Sequence, residues 1–394
     1  MIVKDYTEMS ARIRAFVDRH AMSNSWPAAV AALRPSPLRA SETVPARVVL
    51  QQPARRARVS VVIPCYNYGH YLRGAVDSAL AQENVDVQVV IVDDKSPDDT
   101  SAIADELATD PRVSVIHNEH NLGHVRTFNR GLDVANGEFL VRLDADDLLT
   151  PGCLSRAVAL FDHDPAVGLV YGNPYHFTSP TPPAPRLSQV SWTIWSGVEW
   201  LEERCRRGVN CITTPEAMVR MSVVRQVGPL DTRLLYAQDM ELWCRIAAVV
   251  AVGRVNGADQ ALHRDHASSM SATDASPVLV DLTERRQVFA SVFESTGASL
   301  PDAAGLHAIA NRVLARESVD HADRALDNGH GELALELIEF ARETAPAVFL
   351  ERKPSSVERR TGAAVTGSQI RLIRRRLAGI GREFDYVRWV VHGV

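Results

Sequence analysis

Between residues 58 and 260 the hydrophobic positions switch period again and again. Short apolar runs recur at intervals of about 25–30 residues: "RVSVVIP", "VDVQVVIVDD", "PRVSVIH", "GEFLVRLDADD" and "AVGLVYGN". Near-continuous apolar runs of this length read as strands covered on both faces. Between them the spacing turns helical. In "YLRGAVDSALAQ", Leu72, Ala75, Val76, Ala79 and Leu80 fall at i, i+3, i+4, i+7 and i+8, one face of a helix. "DDTSAIADELATD" opens with residues suited to an N-cap, and "HVRTFNRGLDVANG" closes on Asn-Gly. Strands alternating with helices predict an α/β fold with a doubly wound, mostly parallel sheet. Ligands of such sheets bind beyond the carboxyl ends of the strands. Three strand ends therefore draw attention: Pro64-Cys65-Tyr66-Asn67-Tyr68-Gly69, Asp93-Asp94-Lys95-Ser96 and Asp144-Ala145-Asp146-Asp147.

The flanks have a different texture. Residues 1–57 start with a weak helical pattern and drift into "LRPSPLRASETVPARVVLQQPARR", whose prolines and small residues read as a linker. Residues 173–198 carry five prolines and two tryptophans and predict a long loop, of the kind that serves as a lid or binding loop. "GVEWLEERCRRG" and "QDMELWCRIAAVV" read as helices, and "VGRVN" as the last strand. From about Pro277 the pattern is almost purely helical. The expected organisation is an N-terminal extension and linker at 1–57, an α/β domain at 58–275 and a helical C-terminal region at 276–394.

Composition sharpens this picture. The 394 residues are 46% hydrophobic and 23% charged, ample for a packed core. The net charge of −5 predicts no general attraction to nucleic acid. Five cysteines form no C-x-x-C pair, which fits a reducing, cytoplasmic setting. No stretch reaches the roughly 20 apolar residues of a membrane span, and the N-terminus lacks the pattern of a signal peptide. The charge is uneven: Glu351 to Val394 holds ten Arg or Lys against four acids, +6, which leaves −11 for the rest. That tail also places Ile370, Ile373, Leu377, Ile380, Phe384, Val387 and Val391 on one helical stripe. Such a stripe suits packing on the body, a homodimer through the C-terminal helices, or peripheral contact at the inner membrane face.

The common phosphate devices are missing. No G-x-x-x-x-G-K-[ST] loop occurs, and "PCYNYGHYLRG" is not G-x-G-x-x-G. Leu148 and Leu149 stand where a calcium loop needs a ligand and a glycine. An aspartyl-nucleophile phosphohydrolase also places D-x-D after a strand, but it wants Thr or Val where Leu148 stands. Crowded carboxylates repel unless something positive joins them, which leaves a divalent cation or a helix N-terminus as the phosphate holder.

The blocks "VSVVIPCYNYGHYLRGAVDSALAQ", "VVIVDDKSPDDT", "NLGHVRTFNRGLDVANGEFLVRLDADDLLTPGCL" and "VGPLDTRLLYAQDMELWCRIA" resemble, in order and spacing, those of the inverting family 2 glycosyltransferases. The resemblance spans about Val59 to Ser271. It implies a Rossmann-like GT-A fold and a nucleotide-diphospho-sugar donor. Pro64, Tyr66, Asn67 and Asp94 would then hold base and ribose. A carboxylate only accepts hydrogen bonds, which favours UDP- or dTDP-sugars and allows GDP-sugars. The D-x-D element admits two registers, Asp144-x-Asp146 and Asp146-Asp147, with Asp146 in both and Mg2+ or Mn2+ the fitting ions. His266 matches a position that approaches the metal or diphosphate, and Arg264 is a nearby cation. Arg126 and Asn129 fall on the donor side, where Thr127-Phe128 replace a common Ala-Arg. Asp239 resembles the general base, in a Gln238-Asp239 pair where Glu-Asp is usual. The acceptor stays open among glycans, lipid-linked glycans, proteins and small molecules. The alternative is a noncatalytic nucleotide-sugar-binding or scaffold protein on the same core.

Overall fold

The computed structural model describes residues 42–45, 56–266 and 278–351. The stripe at 370–391 and most of the 1–57 segment lie outside them. The described residues fall into two compact units that do not follow chain order. One draws on Met1–Trp200, Ile212–Thr232 and Val249–Thr273, and the other on Leu201–Cys211, Arg233–Ala248 and Asp274–Val394. The reading that kept 58–275 together thus meets a chain whose 201–211 and 233–248 segments group with the C-terminal helices.

The first unit is built on a ten-stranded mixed sheet. Its strands are β1 (Glu42–Pro45), β2 (Ala57–Cys65), β3 (Val85–Asp93), β4 (Val113–His117), β5 (Phe139–Arg142), β6 (Leu148–Leu149), β7 (Val167–Phe177), β8 (Ser191–Trp195), β9 (Met218–Arg220) and β10 (Ala251–Arg264). The order is β1-β8-β10-β7-β9-β5-β2-β3-β4, with β6 on β10. β5, β2, β3 and β4 run parallel, Cys65 opposite Asp93 and Val59 opposite Phe139. β7 and β10 are parallel too, while β9 enters antiparallel between β7 and β5. The chain steps outward from β2 to β4, then returns to place β5 on the other side of β2. That reversal makes the β2–β5 edge a topological switch point, where doubly wound sheets open a crevice.

Sequence explains the layers. β2 is buried at every position but Arg58, as a central parallel strand must be. Four helices connect this half of the unit: α1 (Gly69–Leu80), α2 (Thr100–Leu107), α3 (His124–Val134) and α4 (Cys153–His163). α1 buries Leu72, Ala75, Val76 and Ala79, the face its periodicity predicts; each fully buried large aliphatic contributes about 1.5–3 kcal/mol. α3 approaches the sheet at Gly131, where a Cβ would lie 2.4 Å from Val62 Cγ1. Only glycine allows that packing distance.

Two expectations change. Residues 173–198 are not one loop: β7 runs on through Phe177, and "SWTIW" forms β8 with Trp192, Ile194 and Trp195 buried. Alternating burial of large residues won over the prolines, which cluster at 180–185. The intervening stretch is anchored, because Asp259 N–H donates to Arg186 O while the backbone N–H and guanidinium of Arg186 donate to the Asp259 carboxylate. Within the segment read as linker, residues 42–45 form β1, antiparallel to β8.

α5 (Gly197–Arg207) and α6 (Met221–Val227) follow, then α7 (Gln238–Ala247), α8 (Val278–Glu294), α9 (Ala303–Asp327), α10 (Gly331–Thr344) and α11 (Pro346–Glu351). The second unit is helical. Ala315, Val319, Ala341, Ala345 and Val348 form a small core there, and Ser318 Oγ donates to Leu337 O at 2.7 Å. Among the described residues no helix is long and apolar enough to cross a membrane.

Candidate active site

The carboxyl ends of β2, β3 and β5 share one rim because these strands are parallel. Just past them the chain adopts left-handed backbone at two non-glycine residues, Asn67 (φ 61°) and Lys95 (φ 63°). Such residues are uncommon and tend to be held in place by their surroundings. Here Asn67 N–H donates to Ser96 Oγ at 3.0 Å, and Ser96 N–H donates to Asp93 Oδ1 at 3.1 Å. The first two turns are thereby stitched together. Pro64 is buried, whereas Tyr66 and Asn67 are exposed at the rim.

Asp94 is 2% exposed. Its Oδ1 accepts from Asn118 Nδ2 (2.7 Å) and Leu122 N–H (2.8 Å), and its Oδ2 from Gly123 N–H (2.9 Å). The carboxylate therefore holds the 118–123 loop against the rim and fixes the start of α3. Asn118, which also receives a bond from Arg130, is a site-shaping residue the motifs did not flag. Arg126 is exposed on α3. Asn129 has both ends engaged with one residue: Nδ2 donates to Leu230 O (2.9 Å) and Oδ1 accepts from Leu230 N–H (3.0 Å).

The three acids after β5 have separate partners. Asp144, one-third exposed, meets Arg142 Nε at 3.0 Å. Asp146 places Oδ2 2.9 Å from His266 Nε2. Asp147, 1% exposed, accepts from Arg264 N–H at 2.8 Å and pairs with His263 Nδ1 at 3.0 Å. Burial, then the charges of Asp147 and Asp144, push the Asp146 carboxyl from 3.8 up to about 6, against the opposing pull of His266. The hydroxyl of Tyr68 is raised as well, by burial first and then by Asp146. Arg264 donates through Nε to Asp146 O at 3.0 Å, and its guanidinium lies over Tyr71 (4.7 Å) and Phe177 (4.5 Å). Tyr68 and Tyr71 each place a ring 5.6 Å from that of His266.

His176, His263 and Asp265 form the one group of three or more His, Cys, Asp or Glu among the described residues whose ligand atoms lie within 4.8 Å of one another. His176 and His263 are register partners on β7 and β10. Burial alone would lower the His263 pKa, but the charge and hydrogen bond of Asp147, then the charge of Asp265, raise it to about 10. The contacts run from Asp147 through His263 to Asp265 and on to His176. Asp147 is the most buried of the three acids and is held by His263 and Arg264 N–H, while Asp144 and Asp146 are held by Arg142 and His266. Asp146 and His266 offer adjacent carboxylate and imidazole donors, a set that fits a divalent ion.

Asp239 belongs to the second unit, in the first turn of α7. Its Oδ2 accepts from Asn210 Nδ2 at 2.8 Å and its Oδ1 from Met240 N–H at 2.7 Å.

A mostly parallel sheet with a D-x-D element at its strand-end switch point fits the GT-A fold, which the comparisons with known proteins support. The model for glycosyl transferase family 2 matches residues 60–228, and the chain carries a family 2 glycosyltransferase domain. An uncharacterized glycosyltransferase of Nostoc sp. is 29% identical over 237 residues, covering 55% of this chain and 69% of that protein. Glycosyltransferase GlyG of Streptococcus pneumoniae is 33% identical over 120 residues, 30% of this chain but only 40% of GlyG. The crystal structure of S. aureus TarS 1-349 in complex with UDP-GlcNAc superposes with a TM-score of 0.55 at 16% identity, covering 74% of this chain and 83% of that one.

Proposed function

We propose that the protein is an inverting glycosyltransferase that moves a sugar from a nucleotide-diphospho-sugar to an acceptor hydroxyl. The observation that carries this reading is Asp146: a carboxyl crowded between two others, raised to about 6, beside His266 at the β2–β5 switch point. Such a residue gains most from a cation. Asp144, Asp146 and His266 are the proposed holders of Mg2+ or Mn2+, which when bound neutralises the donor diphosphate. Pro64, Tyr66 and Asn67 line the base and ribose side, and Asp94 acts there through the 118–123 loop it holds. Arg126 is a candidate cation for the diphosphate. UDP- and dTDP-sugars are the favoured donors; the TarS complex with UDP-GlcNAc, on the same fold, is consistent with that. Asp239 is the proposed base. It takes the acceptor proton on a carboxylate oxygen, while Asn210 and Met240 N–H fix the orientation of the side chain.

The test is Asp239→Asn in the full chain, with nucleoside diphosphate release measured over a panel of sugar nucleotides with Mn2+. General-base loss typically costs about 10²–10⁴-fold in rate. The expected result is turnover reduced by at least about a hundredfold, with UDP affinity within about twofold of the parent. Full turnover in the variant overturns the mechanism.

A further inference from the structure

The second unit contains two adjacent charged residues on α8, Glu284 and Arg285, that are nearly buried. Glu284 Oε1 accepts from Leu235 N–H at 3.0 Å, and its Oε2 from Tyr236 N–H at 2.7 Å and Ala237 N–H at 2.8 Å. Three successive amides thus converge on one carboxylate. They immediately precede Gln238 and Asp239, where α7 begins. Ala237 is buried, whereas Leu235 is exposed and Tyr236 lies between, so the carboxylate ties an open turn to a buried one. The carboxylate thus ties the stretch that leads into α7 to α8.

Arg285 does the same for the other side of the Asp239 contact. Its Nη1 donates to Gly208 O at 2.8 Å, at a left-handed residue (φ 71°) two positions before Asn210. The guanidinium is itself locked by both oxygens of Glu317 (2.9 and 3.0 Å) and by Asp281. One helix therefore anchors the segment that carries Asp239 and the segment that carries its hydrogen-bond donor. α8 lies beyond the 60–228 family match, so the family motifs give no hint of this role.

We propose that Glu284 is a positioning residue for the base: by gathering the amides of 235–237 it sets the direction from which Asp239 meets the acceptor. This inference rests on the reading of Asp239 as the base. Its effect falls on kcat, because the donor side is built from other residues. The test compares Glu284→Gln, which is isosteric and keeps one acceptor, with Glu284→Ala, in the full chain. Nucleoside diphosphate release is measured with and without Asp239→Asn, together with UDP affinity and hydrogen exchange at amides 235–237. The expected result is faster exchange at those three amides, a fall in kcat of about tenfold for Gln and more for Ala, and unchanged UDP affinity. In the Asp239→Asn background the Gln change has no further effect on rate. If Glu284→Ala does not fold, the Gln variant decides. Unaltered kcat in Glu284→Gln, or a tenfold fall that persists in the Asp239→Asn background, overturns the positioning role. Full turnover in Asp239→Asn alone instead overturns the base on which it rests.

Discussion

Asp259 and Asp146 are both nearly withdrawn from water, in opposite surroundings. Asp259, fully buried on β10, meets donors in excess: Arg186 through Nε (3.1 Å), Nη2 (2.7 Å) and backbone N–H (2.7 Å), and Asn173 Nδ2 (3.0 Å). Burial alone would raise its pKa, but the Arg186 bonds and charge hold it below the usual carboxylate range. Asp146 meets charges of its own sign in excess, and its pKa moves the other way. The first arrangement is complete without a ligand. The second, on the proposed reading, is relieved by one. Burial does not separate a structural acid from a functional one; the balance of donors against like charges does.

The largest effect is expected where a complete arrangement is broken. Arg186→Ala removes the cation from a buried carboxylate, a change that typically costs about 3–5 kcal/mol. The sign with pH is fixed by the lowered pKa of Asp259. The pair stabilises above the unfolded value near 3.8 and loses its contribution as pH falls through the lower folded value. Urea unfolding of Arg186→Ala should thus show its full deficit at pH 7 and a smaller one below about pH 4. An equal deficit at both would remove the charge from the argument.

At the other site, Asp146→Asn should leave the fold intact and reduce nucleoside diphosphate release by about a hundredfold, roughly 2.7 kcal/mol. It should also abolish thermal stabilisation by Mn2+, since only a ligand that prefers the folded state stabilises it. A variant with parental Mn2+ response would place the cation elsewhere. The pH response follows from the value near 6. Without metal, the raised pKa makes the folded state bind more protons than the unfolded one between about pH 4 and 6, so this group adds stability as pH falls through that window. Cation binding needs the deprotonated form and should weaken about tenfold per unit below 6. Thermal melts with EDTA and with Mn2+ should therefore slope in opposite directions, and parallel slopes would sink the assignment.

Much of this was legible locally. The face of α1 and the acids after β5 come from spacing within a dozen residues. The parallel order of β2, β3 and β5 follows from their alternation with helices. What the sequence hid are the pairings across it. Asp147 meets His263 116 residues away, Asp259 meets Arg186 73 residues away, and Asn129 meets Leu230 101 residues away. Two of these depend on the register of β10, whose fourteen residues run past the "VGRVN" that looks like a strand. Its polar half, Gln260 to Arg264, carries no strand signal of its own and is extended only because β7 pairs with it. Glu284 was equally silent. A lone Glu on an amphipathic helix reads as solvated until the amides it gathers are known.

The finest division in the comparison is between Asp144 and Asp147, neighbours in sequence on opposite sides of the line. Asp147 is committed to His263 and Arg264 N–H and is 1% exposed, whereas Asp144 is one-third exposed with a single arginine partner. Asp147→Asn keeps an acceptor for Arg264 N–H and removes a like charge from Asp146. The carboxyl of Asp146 then titrates below 6, and Mn2+ affinity at pH 7 should change less than about threefold, since a carboxylate already ionised gains little from further acidification. Asp144→Asn removes the same kind of charge but also a proposed ligand of the ion, so its affinity loss should exceed that of Asp147→Asn at every pH. Isothermal titration with Mn2+ on the two variants reads the difference directly. The reverse order would move the cation to Asp147 and require His263 to give way to it.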